Sequence, residues 1–308
     1  MTRTVIAAAL LALVLLVLAV PAAADPPSLG RGTVLAEVER FHPGDFIWAP
    51  ELASEGPVLV VINRHTQRLI AYRNGIPIGI TTVSTGRRGF TTPTGTYRVL
   101  QRRVEHYSSL YNNAPMPFMQ RLTWGGIALH GGALPGFPAS HGCIRLPHDF
   151  ARLLYGVTRL GTPVVITDRT AMPRLGLSED LGATERMLDR HLADGPAIRT
   201  AAISLAGPAT IVASIADGRI LLLRGGEIVA SAPMSAPAVQ TLTAFRLGPR
   251  SSEPQWTRVP LTGQADGAAP TRNPFDLVSA DPAFRAAVEA GLPPGSTFVL
   301  VPDSLHTS

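Results

Sequence analysis

Beyond residue 56 the apolar positions come in short blocks separated by turn residues. Residues 58–62 and 69–72 are apolar runs of strand length, and Asn74-Gly75 joins the second to a further run over 76–84. Asn-Gly between two such runs predicts a two-residue hairpin, because both residues tolerate the positive φ of a type I′ turn. Thr92-Pro93-Thr94-Gly95 reads as a second turn, leading into a strand over 96–100. The polar, irregular stretch 102–121 reads as a long loop, a kind of segment that often carries function. Ile127-Ala128-Leu129 then predicts a buried strand ending at His130. Helical spacing of Phe150, Leu153 and Leu154 predicts a helix over 149–155 stopped by Gly156, and 163–167 is a final apolar strand. A second helix over 178–193 reads as a connector, whereas 25–55 shows no clear pattern.

Beyond the connector the pattern returns. A shift of 151 positions lays Gly56-Pro57 on Gly207-Pro208, Val61 on Val212, Arg68 on Arg219, Arg73 on Arg224 and Gly75 on Gly226, six identities in 23 positions. The reading is a degenerate second copy of the first β unit. The expected fold is therefore mainly β. A β-rich unit over 56–168 is followed by a helical connector over 169–196 and a smaller β-rich unit over 197–308. The 308 residues suit two such units.

Composition narrows the chemistry. An apolar fraction of 45% with 16% charge excludes a disordered chain, and 29 glycines with 28 prolines agree with many turns. All 27 basic residues are arginine, so no lysine is available for Schiff-base chemistry. The net charge of +5 is scattered rather than gathered into a stripe, which argues against a nucleic-acid partner. Residues 1–24 carry an early arginine, sixteen apolar residues over 5–20, and Pro21-Ala22-Ala23-Ala24. That pattern predicts a secretory signal cleaved after Ala24, with an uncleaved membrane anchor as the alternative. The expected location is the periplasm or cell envelope.

In such a compartment a lone cysteine asks for a reason. Cys143 cannot form an intramolecular disulfide, and no histidine spacing suggests a metal, so no cofactor or metal is expected. It lies in Ser140-His141-Gly142-Cys143-Ile144-Arg145, thirteen residues after His130-Gly131-Gly132. A neighbouring imidazole that takes the thiol proton makes cysteine a nucleophile, and either His130 or His141 could do so. His141 would share a side with Cys143 if the segment is extended. Gly142 would let a substrate carbonyl approach the N–H groups of Gly142 and Cys143 as an oxyanion hole. The competing reading of Cys143 is a small core residue. Arg145 could bind a substrate carboxylate or pair structurally with Asp149. Trp256 reads as core rather than as an exposed binding aromatic.

The run from His130 through Ser140-His141-Gly142-Cys143-Ile144-Arg145 resembles the L,D-transpeptidase catalytic domain family. Ser84-Thr85-Gly86, Thr92-Pro93-Thr94-Gly95 and Met116-Pro117 add to the likeness, which covers residues 56–168 and implies a β-sandwich catalytic domain there, with 197–308 as an accessory domain without catalytic residues. The resemblance implies that Cys143 attacks peptidoglycan stem peptides after their third residue, releases D-alanine and passes the acyl group to an amine. That amine would be another stem, a D-amino acid or an envelope lipoprotein; water as acceptor would make a carboxypeptidase. It implies that His130 is the general base, held in its tautomer by the Gly131 carbonyl, and that His141, Gly142 and Cys143 shape the oxyanion site. Ser140, Arg145, Met116, Tyr107 and Trp124 are expected at the substrate cleft. Many members of the family carry asparagine where this chain has Arg145. A non-catalytic envelope-binding protein is the reading from a different class, and oligomeric state is left open. Residues 197–304 contain neither histidine nor cysteine, so a second Cys-His pair is excluded there.

Overall fold

The computed structural model describes residues 27–29, 33–109, 112–193, 195–198, 207–251, 254–261 and 270–306; the expected signal at 1–24 lies outside them. Hairpins build both halves. Strands β2 (Val58–Asn63), β3 (Arg68–Arg73) and β4 (Ile76–Thr82) form an antiparallel meander. Its tight turn is at Asn74 (φ 52°) and Gly75 (φ 80°), as the Asn-Gly signal requires. Strand β10 (Pro163–Thr167) returns parallel to β2, and β5 (Gly95–Arg98) pairs antiparallel with β10. The 25–55 stretch is not separate from this unit: β1 (Phe46–Trp48) pairs with β4 and completes a six-stranded sheet, preceded by the short helix α1 (Val34–Glu39).

A second sheet has four strands and includes His130. It is ordered β6 (Gln101–Arg103), β7 (Met119–Arg121), β8 (Ala128–Gly131), β9 (Ile144–Leu146). The stretch read as a continuous loop over 102–121 thus begins and ends in strands. Between the two sheets lies α2 (His148–Val157), whose Phe150, Ala151 and Leu154 are buried. These side chains meet Val60, Ile62, Leu69 and Ala71 from one face of the large sheet and Leu129, Ile144 and Leu146 from the small one. The helix runs through Gly156 rather than stopping there, because packing of its apolar stripe outweighs the roughly 1 kcal/mol that one glycine costs.

The opposite face of the large sheet presents Leu59, Val61 and Tyr72, covered by Leu181 at the start of α3 (Leu181–Ala193). After β11 (Ala197–Ile198), strands β12 (Thr210–Ser214), β13 (Arg219–Arg224) and β14 (Glu227–Ser235) repeat the first meander at the offset of 151. The repetition extends to detail. The ladder between β3 and β4 slips between Ala71 and Tyr72, and the ladder between β13 and β14 slips between Leu222 and Leu223, the positions 151 residues later. Strand β19 (Thr297–Val301) runs parallel to β12 as β10 does to β2, and β15 (Thr243–Leu247) flanks it as β5 flanks β10. Helix α4 (Pro282–Gly291) precedes β19 as α2 precedes β10, now at an offset of 134. Strands β16 (Trp256–Arg258), β17 (Pro270–Thr271) and β18 (Ser279–Ala280) complete the second sheet, in which Trp256 is core, 2% exposed.

The two units share buried surface. One apolar cluster joins Ile76, Ile78 and Ile80 to Val212, Leu221, Leu223 and Val299, while the far face of the second sheet packs on Phe284 and Val288 of α4. At the junction Asn74 is 1% exposed; its Nδ2 donates to Thr210 Oγ1 and to the Leu223 carbonyl (both 3.3 Å), and its Oδ1 accepts from Gly226 N–H at 2.8 Å. A buried amide satisfied on both ends in this way is far less costly than one left unpaired.

Candidate active site

Parallel pairing sets the site. Strands β8 and β9 run side by side with Leu129 opposite Ile144 and His130 opposite Arg145. Alternation turns Leu129 and Ile144 into the core, both fully buried, and puts His130 and Arg145 on the other face, with Cys143 one residue before Ile144. Cys143, His130 and Arg145 line one cleft of about 490 Å³, together with Met116, His141 and His148.

His130 is 8% exposed, and its Nδ1 lies 2.9 Å from the Gly131 carbonyl. A carbonyl can only accept, so Nδ1 carries the hydrogen and Nε2 keeps its lone pair. Burial lowers the His130 pKa, the bond to Gly131 opposes that shift, and the charge of Arg145 adds to it. Burial raises the Cys143 thiol, against the backbone N–H of Ala128 and the charges of Arg121 and Arg145. The thiol donates to the Gly126 carbonyl at 3.2 Å. Burial thus disfavours both the thiolate and the imidazolium, which suits proton transfer during attack rather than a preformed thiolate.

The loop carrying the cysteine is laced to Ser84-Thr85-Gly86. Ser84 and Arg145 exchange backbone hydrogen bonds (3.1 and 3.0 Å), Ser140 N–H donates to the Thr85 carbonyl (3.0 Å), and Arg87 N–H donates to the Ser140 carbonyl (3.0 Å). Gly142 adopts φ +114°, and a Cβ there would stand 2.8 Å from Ile127 Cδ1. Glycine is thus required by backbone conformation and by close packing.

That twist alters three expectations. The segment is not extended at Gly142, so His141 turns to the rim, where Arg87 Nη2 lies 2.8 Å from His141 Nε2 and the Phe90 ring sits 4.7 Å away, edge to face. Arginine can only donate, so His141 Nε2 accepts there. The Gly142 N–H is not free for an oxyanion, because it donates to Ser140 Oγ at 3.0 Å. Ser140 touches the cleft, yet its hydroxyl is committed to the loop and also donates to the Cys143 carbonyl at 2.6 Å.

The remaining expected residues divide. Met116 lines the cleft. Tyr107 (54% exposed) and Trp124 (74% exposed) stand outside it, Tyr107 bridged to Pro115 and Trp124 at the β7–β8 turn with the Arg121 guanidinium 5.9 Å from its ring. Arg145 packs its stem on Gly132 and lines the cleft, while the carboxylate of Asp149 lies near His148 (3.8 Å) and Arg152 (3.9 Å). The Arg145–Asp149 ion pair is thus not among the pairs of the described residues. Sequence reading missed Arg87, Phe90 and Gly126 as neighbours of the site, and read Thr92 only as a turn residue. The Arg-Arg pair beside a glycine turn was a visible signal for the first of these.

Residues 57–166, just over a third of the chain, match the family model of the L,D-transpeptidase catalytic domain (YkuD). Among solved structures, L,D-transpeptidases from Stackebrandtia nassauensis (26% identity, TM-score 0.34) and Xylanimonas cellulosilytica (28%, 0.34) are similar to 37% of this chain. An L,D-transpeptidase from Mycobacterium smegmatis is similar over 36% of it (24%, 0.33). The matched part spans 56%, 62% and 58% of those chains respectively, less than two thirds of each. No curated protein matches the chain.

Proposed function

We propose that the protein is an exported peptidoglycan L,D-transpeptidase. The observation that carries this reading is the placement of His130 and Cys143 on one face of adjacent parallel strands, lining one cleft, with the His130 lone pair left at Nε2 by the bond to Gly131. In the reaction, Cys143 Sγ attacks the carbonyl of stem residue three as its proton passes to His130 Nε2. The tetrahedral intermediate collapses with breakage of the amide bond, and His130 returns the proton to the departing D-alanine amine. The resulting thioester is attacked by an acceptor amine, whose proton goes to His130 and then to the regenerated thiol. Arg145 supplies a cation at the cleft wall for a substrate carboxylate.

The raised thiol alone would favour a non-catalytic binding protein. A buried, neutral imidazole in the same cleft supports general-base catalysis instead, because such a pair needs no standing thiolate. Incubation with a disaccharide-tetrapeptide, with D-alanine release and 3-3 linked products followed by mass spectrometry, tests the reading. Tripeptide without cross-linked product identifies water as the acceptor; no release by the wild-type protein overturns the proposal.

A further inference from the structure

We infer that Thr92 is a positioning residue for the oxyanion donor at Cys143. The inference rests on the acyl-transfer reading above and adds to it a part that the nucleophile and its base do not supply. Thr92 is fully buried. Its Oγ1 accepts from the Gly86 N–H at 2.8 Å and donates to the Gly142 carbonyl at 2.7 Å. The Gly142 carbonyl and the Cys143 N–H belong to one planar, trans peptide unit, so they point in opposite directions. Holding the carbonyl against Thr92 therefore turns the Cys143 N–H away from the loop interior. A hydrogen bond accepted at the carbonyl also polarises the amide and strengthens its N–H as a donor.

The neighbouring amide cannot do this work, since the Gly142 N–H is occupied by Ser140 Oγ. One backbone donor is thus left from the pair, and its aim depends on a hydroxyl fifty residues earlier in the chain. The geometry around Thr92 is tight on both sides. A Cβ at Gly86 would fall 1.9 Å from the Phe90 carbonyl and 2.7 Å from Thr92 N, so the loop delivers the hydroxyl only with glycine at position 86. The chain Gly86 N–H to Thr92 Oγ1 to Gly142 carbonyl transmits the fixed position of one loop to the peptide unit of the other.

Two reactions of the same thiol separate this role from a structural one. Acyl transfer builds an oxyanion, whereas alkylation by iodoacetamide displaces iodide at a saturated carbon and builds none. Thr92→Val keeps the shape and removes the hydroxyl; Thr92→Ser restores it. The expected result for Thr92→Val is a kcat for D-alanine release lowered roughly 10- to 100-fold, short of the ~10²–10³ for loss of an oxyanion donor outright. KM and the alkylation rate of Cys143 stay within about twofold, and Thr92→Ser returns kcat to within about threefold of wild type. If Thr92→Val does not fold, Thr92→Ala, which removes the hydroxyl without adding bulk, takes its place with the same expectations. Turnover by the hydroxyl-free variant equal to wild type overturns the inference, as does a parallel fall in turnover and alkylation. Wild-type protein that alkylates normally but releases no D-alanine shows instead that the acyl-transfer reading has failed, and the role of Thr92 falls with it.

Discussion

In the N-terminal unit the residue five places ahead of α2 is Cys143; in the C-terminal unit the residue five places ahead of α4 is Leu277. The frames around the two positions coincide. Ser84 pairs antiparallel with Arg145 in one, and Ser235 with Ser279 in the other, at the same offsets of 151 and 134. The glycine turns before β10 and β19 have the same conformation, φ +82° at Gly161 and +83° at Gly295. What differs is the stretch between the meander and the helix, seventeen residues shorter in the second unit. The first unit spends that stretch on β6 to β9, which bring a histidine beside the cysteine; the second runs β16 and β17 onto the edge of its own sheet. The two frames share a core between the sheet and the helix, where Phe150 has its counterpart in Phe284, both fully buried. The lesson is that fold and site here are separable: one sheet, one helix and one return strand make the frame, and an inserted sheet makes the site.

Substituting the proposed nucleophile tests this separation most severely. Cys143→Ala lowers D-alanine release by at least about 10³-fold, and adding Leu277→Cys to that variant does not restore it, since residues 197–304 contain no histidine. Leu277 is 41% exposed, so the new thiol alkylates readily, and recovered turnover would break the comparison. Removal of residues 197–308 comes next. It strips cover from Ile76, Ile78 and Ile80, so the full chain shows one calorimetric transition and the shortened one loses it; two independent transitions in the full chain would show that the units are autonomous.

A pH series sharpens the contrast for the one unit that holds an imidazole in a cleft. Burial lowers His130, so the base stays unprotonated at neutrality and kcat/KM declines only as pH falls below the ordinary histidine value of about 6.5. Stability moves in the same direction. The unfolded chain binds that proton first, so the His130 contribution is present above about 6.5 and is lost as pH falls through the lowered native value. The raised thiol makes iodoacetamide alkylation keep climbing past the ordinary thiol value of about 8.5. An alkylation rate already level at pH 7 would show a preformed thiolate.

The turns supply the smallest effects. Asn74→Ala leaves the Gly226 N–H without its buried partner and forces alanine to positive φ, a loss of about 3 kcal/mol in denaturant unfolding. The equivalent position is Gly225, with φ +62° and open space around it, so Gly225→Asn changes stability by less than about 1 kcal/mol. Equal costs at both turns would mean that the junction does not depend on Asn74.

Much of this was legible from residues alone. The Asn-Gly hairpin, the return strand over 163–167, the connector helix and the weak repeat all rest on local signals: apolar period, turn chemistry and spacing. The repeat was visible only in its first meander, because the offset changes where the inserted sheet begins. The unpatterned 25–55 stretch hid β1, since a three-residue edge strand has too few positions to show alternation. At the site, the lone cysteine beside glycine and two histidines pointed to a nucleophile, but two of the cleft aromatics did not enter the cleft.

Local composition therefore determined that Cys143 is the candidate nucleophile and that the second half holds no such pair. Only tertiary structure decided which groups surround it. Parallel pairing of β8 with β9 put His130 on the thiol's face, and a glycine at positive φ turned His141 to the rim. The Gly142 amide went to Ser140 of its own loop, and a side-chain hydroxyl from a distant turn, Thr92, took up the Gly142 carbonyl. These outcomes depend on strand register and on hydrogen bonds between segments up to fifty residues apart, and no local pattern in the chain encodes such distances.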